Sequence, residues 1–82
     1  MKKFIILFKP RSLDDRVELD IVEENTNRDA MFKWLEKNRN TLKHFTGFIN
    51  DPITDEQAKF FEEDYEKFRE QFYKGSPYFG YN

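Results

Sequence analysis

The chain has 82 residues, 14 basic and 16 acidic side chains, a net charge of −2 and no cysteine. Such a length predicts one domain, and the missing cysteine excludes a disulfide framework or a thiolate metal site. A short chain has a thin core, and an aromatic content of 18 % is one remedy, since each ring buries ~150–250 Å².

Residues 4–8 (Phe4, Ile5, Ile6, Leu7, Phe8) form an unbroken apolar run ended by Pro10, the pattern of a central strand covered on both faces. The run is too short for a signal peptide, and no stretch approaches the ~20 apolar residues of a membrane span. A soluble, cytoplasmic protein is expected. After a turn-rich connection, residues 16–24 alternate. Val17, Leu19 and Ile21 share one face of this second strand, and Glu18, Asp20 and Val22 the other, as in a half-buried edge strand.

Thr26 and Asp29 have capping-box spacing and open a first helix. Met31, Trp34, Leu35 and Asn38 form its inner face, while Arg28, Lys33 and Lys37 point outward. Residues 41–49 read as a third strand, with Gly47 marking a bulge. Thr54 and Gln57 then cap one long second helix that runs to Lys74 and stops at Gly75. Ala58, Phe61, Tyr65, Phe68 and Phe72 recur at alternating spacings of three and four, an apolar stripe along that helix. Phe60 and Tyr73 lie off the stripe.

The predicted fold is α+β: a small three-stranded sheet in the order ββαβα, with strand order 2-1-3 and two helices on one face. A right-handed crossover through the first helix places the third strand beside the first. The opposite sheet face would then expose apolar side chains from the first strand. The aromatic tail, a homodimer through that free face, or another partner would cover it.

His44 is the only histidine, and its neighbours Lys43, Phe45, Thr46 and Gly47 supply no recognisable catalytic signature, so a structural or surface role is expected. No phosphate loop, hydrolase elbow or zinc-protease motif is present, and the acidic pairs lack calcium-loop spacing. No enzyme activity, metal or cofactor is expected. The charge is segregated: residues 51–70 carry eight acids against three bases. On the second helix Asp55, Glu62, Glu66 and Glu70, with Tyr73, make an acidic strip suited to a basic protein surface. Arg28, Lys33, Lys37, Arg39 and Lys43 make a basic face, the alternative being nucleic-acid binding there. The aromatic tail with Tyr78, Phe79 and Tyr81 either folds back or inserts into a partner.

The favoured reading is a non-enzymatic protein-binding module, a small inhibitor or modulator of a larger macromolecule. Small phage-encoded inhibitors of host or defence proteins share this general build, an analogy of size and composition with no motif behind it.

Overall fold

The computed structural model describes residues 1–74. The elements are β1 (Lys2–Lys9), β2 (Glu18–Glu24), α1 (Asn27–Asn38), β3 (His44–Phe48), α2 (Asp55–Glu63) and α3 (Tyr65–Tyr73). Two compact units follow one another, Met1–Pro52 and Ile53–Asn82. The first holds the sheet and α1, and the second holds α2 and α3. The expected stop at Gly75 and the tail residues Tyr78, Phe79 and Tyr81 lie outside the described residues.

The sheet has the order β2-β1-β3, and both outer strands run antiparallel to β1. The apolar run of β1 is therefore the central strand, as its composition predicts. Phe4, Ile6 and Phe8 face α1 and form a core cluster with Ala30 and Trp34. Trp34 is 2 % exposed and stacks at a tilt against Phe8, with ring centroids 5.4 Å apart.

β2 keeps the predicted alternation, with Asp20 and Val22 on one face and Leu19 and Ile21 on the other. In the register, Ile6 pairs with Asp20 and Phe4 with Val22, so these two β2 residues lie on the α1 side of the sheet. Val22 packs against the core cluster there. Asp20 is tolerated because it is fully used: Oδ2 accepts from Trp34 Nε1 at 3.0 Å, and Oδ1 accepts from the Ile21 amide at 2.9 Å. An indole donor met by a carboxylate is a charge-assisted bond, stronger than a neutral one.

Ile5 and Leu7 of β1 and Leu19 and Ile21 of β2 share the opposite face of the sheet.

β3 begins at His44, three residues later than the predicted start at Thr41, and carries the bulge. Phe45 and Phe48 are an odd number of residues apart, so a regular strand would turn them to opposite faces. The register shifts between Leu7, which faces Gly47, and Phe8, which faces Phe45. Thr46 is the additional residue, next to the glycine that the sequence marks. Both phenylalanines consequently pack on the core beneath α1.

α1 starts at Thr26, whose side chain accepts from the Asp29 amide at 3.1 Å. Its buried side is Ala30, Trp34 and Asn38. The predicted inner residue Leu35 is exposed instead, one step around the helix. Asn38 closes the helix from inside: its Nδ2 donates to the Trp34 carbonyl at 2.9 Å.

The second unit differs most from the sequence reading. The predicted single helix over residues 54–74 is two helices, broken at Asp64. Asp64 has φ −150° and ψ 78°, outside the helical region. Its amide donates to the Phe60 carbonyl at 2.9 Å and ends α2. Its carboxylate accepts from the Lys67 amide at 3.2 Å and caps α3. In a straight helix Phe60 and Phe68 would stand ~12 Å apart along the axis. Across the break their ring centroids are 5.8 Å apart, and those of Phe61 and Phe68 are 5.2 Å apart. The turn at Asp64 thus gathers Phe60, Phe61 and Phe68 into one edge-to-face cluster, and Phe60 belongs to the packing rather than to a contact surface.

The start of α2 is a complete capping box. Thr54 Oγ1 accepts from the Gln57 amide at 3.1 Å, and Gln57 Oε1 accepts from the Thr54 amide at 2.7 Å. Thr54→Ala removes one arm and is expected to lower stability by about 1 kcal/mol in urea unfolding. No measurable change would show that α2 starts elsewhere.

Candidate functional site

The sheet topology brings two loops to one end of the first unit. β1 ends at Lys9, which pairs with His44 at the start of β3. The β1–β2 connection therefore leaves the sheet beside the point where the α1–β3 loop enters it.

Each loop is held by its own hydrogen bonds. In the first, the Asp14 amide donates to the Arg11 carbonyl at 3.0 Å, and Arg11 pairs with the Asp14 carboxylate at 3.3 Å. Ser12 and Leu13 occupy the corners of that turn. In the second, the Thr41 amide and hydroxyl both donate to the Asn38 carbonyl, at 3.0 and 2.8 Å. Thr41 Oγ1 in turn accepts from the Lys43 amide at 3.2 Å. Both turns direct a leucine outward: Leu13 is 94 % exposed and Leu42 is 76 % exposed. The two leucines line one recess of about 300 Å³, together with Arg11, Ser12 and Asp14.

A second recess of about 440 Å³ adjoins this loop on the α1 side. Trp34, Leu35 and Phe45 give it an apolar wall, and Asn38, Thr41, Arg39, Lys43 and His44 complete the lining. The Lys43 ammonium lies 5.1 Å from the centroid of the Phe8 ring, a cation–π contact. Arg39 pairs with Glu36 at 3.4 Å, with both side chains exposed.

The predicted basic face does not form one surface. Arg28 and Arg39 share the solvent side of α1 with Phe32, at helical spacing. Lys33 lies on the flank toward β2, where its ammonium meets Glu24 at 3.5 Å and the Glu23 carbonyl at 3.3 Å. Lys37 shares that flank, lining a small recess with Ile21, Val22 and Glu23. Lys43 comes from the α1–β3 loop. His44 is exposed and lines the second recess.

The predicted acidic strip is divided by the turn at Asp64. Asp55 and Glu62 belong to α2, and Glu66, Glu70 and Tyr73 to α3, so Glu62 and Glu66 are not successive positions of one helix. Ion pairs also reduce its charge. Glu70 meets Lys74 at 3.1 Å, and beside the strip Glu63 pairs with Lys59 at 4.0 Å. Tyr73 is partly exposed, with its ring under the Arg69 guanidinium at 4.9 Å.

Leu13 and Leu42 were not among the sequence candidates. Their only signal is an isolated leucine within a polar segment, Arg11-Ser12-Leu13-Asp14 and Asn40-Thr41-Leu42-Lys43. Among the described residues no group of three or more acidic or histidine side chains is placed to hold a metal ion, and no helix is long and apolar enough to cross a membrane. No protein-family model, curated protein or solved structure matches the chain.

Proposed function

We propose that this protein is a non-enzymatic binding module that docks on another protein through the loop end of its first unit and thereby modulates or blocks that partner. The observation that carries this reading is the pair Leu13 and Leu42, both strongly exposed and lining one recess. Single exposed leucines are ordinary, but neighbouring ones held outward by hydrogen-bonded turns make a contact patch. Leu35 and Phe32 extend exposed apolar surface along α1. Arg11, Arg39 and Lys43 border the patch and supply a polar rim, the usual anatomy of a protein interface.

Nucleic-acid binding has less support. Strand-binding proteins combine a continuous basic groove with exposed rings on which bases stack. Here the basic residues are split between two flanks of α1 and a loop, and Trp34 is buried.

The test is capture from the source cells with wild-type protein and with the double variant Leu13→Glu/Leu42→Glu. Both positions are exposed, so stability should change by no more than about 0.5 kcal/mol each. Captured protein is expected to fall by at least about tenfold with the variant, the effect of losing anchoring apolar contacts. Equal capture by the two proteins would overturn the assignment. Light scattering during size exclusion tests a second copy as the occupant. A dimer that the double variant abolishes would replace the proposed partner by the chain itself.

A further inference from the structure

We infer that the recess between α1 and β3 receives a carboxylate from the partner, presented beside an apolar side chain on an acidic protein segment. The inference rests on the protein-docking reading above and names the chemistry of the partner. Among the described residues the lining carries Arg39, Lys43 and His44 and not one carboxylate, in a chain whose acids outnumber its bases 16 to 14. The wall beneath is apolar, formed by Leu35, Phe45 and Trp34. A cationic rim over an apolar wall complements a side chain or chain end that is anionic at its tip and apolar alongside.

The end of α1 opens into this recess, and free carbonyls there would repel an anion. Local bonds offset that repulsion. The Trp34 carbonyl accepts from Asn38 Nδ2, and the Asn38 carbonyl accepts from both the amide and the hydroxyl of Thr41. Glu36 is the nearest competing acid, and it holds Arg39 only through a solvent-exposed pair. Exposed pairs contribute roughly 0–1 kcal/mol, so Arg39 can exchange Glu36 for an incoming carboxylate. The recess volume of about 440 Å³ suits one or two side chains rather than a whole folded element. A phosphate would satisfy the same cations. A protein carboxylate is favoured because the recess adjoins the leucine patch, and because Trp34 offers no exposed face to a base.

The experiment is an NMR titration of the full, isotope-labelled chain. The probes are a short capped peptide alternating leucine and glutamate, its leucine–glutamine counterpart, and a thymidine oligonucleotide. The acidic peptide is expected to shift the amides of Leu35 and of residues 41–45. The glutamine peptide should bind roughly fivefold to tenfold more weakly, the effect of two partly exposed charge pairs. The variant Arg39→Gln/Lys43→Gln should lose the same factor toward the acidic peptide and nothing toward the glutamine one. Equal binding of the two peptides, or shifts confined to other surfaces, overturns the inference. Tighter binding of the oligonucleotide at the same salt also overturns it and assigns the recess to a phosphate. If Leu13→Glu/Leu42→Glu still abolishes capture in those cases, the docking reading survives and only the carboxylate is lost. If capture is unaffected, the docking reading fails as well.

Discussion

Trp34→Ala is expected to lower the unfolding free energy by about 3–5 kcal/mol, the usual cost of removing a buried ring. A small domain has roughly 0.05–0.15 kcal/mol of stability per residue, so the loss removes much of the total. Two effects combine in it. The ring is 2 % exposed and lies between Phe8 and Phe45, whose centroids are 5.4 and 6.1 Å away. The indole N–H is also the donor to Asp20, and without it a carboxylate oxygen beneath α1 loses its partner. Trp34→Phe separates the two, since it keeps a ring and drops the donor. It should cost about 1–3 kcal/mol. Urea unfolding followed by far-UV circular dichroism gives both values. Equal losses for the two variants would show that the ring contributes nothing beyond its hydrogen bond.

Phe68→Ala is expected to cost a similar ~3–5 kcal/mol, because Phe68 is 0 % exposed and is the common neighbour of Phe60 and Phe61. The sharper test concerns the turn at Asp64. A double-mutant cycle with Phe60→Leu and Phe68→Leu should give a coupling of about 0.5–1.5 kcal/mol. One continuous helix would hold the two rings too far apart to interact. Zero coupling would therefore contradict the broken helix, whatever the single variants do.

Much of the first unit was legible in the order of residues. The apolar run at 4–8 identified the central strand, and Thr26 marked the start of α1, as Thr54 did that of α2 in the second unit, through the short range of a capping bond. The strand order 2-1-3 followed from the crossover rule. The break at Asp64 was hidden because the stripe from Ala58 to Phe72 keeps helical spacing straight through it. Asp64 carries the relevant signal, a good capping residue and a poor helix former, but that preference is worth about 1 kcal/mol and periodicity masks it. The candidate site was less legible. The basic face was drawn with Arg28, Lys33 and Lys37 on one outer side of α1, whereas Lys33 turns to the flank and pairs with Glu24 on β2. The acidic strip was drawn on a helix that the turn divides.

What the sequence by itself determined is local: where α1 and α2 start, which strand is central, and that aromatic rings supply the core. These follow from periodicity and capping, which act over a few residues. The tertiary structure decided which residues meet. It set Asp20 under Trp34, brought Phe45 and Phe48 to one face through a bulge, and placed Leu13 beside Leu42. Such contacts depend on register and on strand pairing across long separations. A one-residue bulge reverses a strand face without altering composition, so no local pattern records the result.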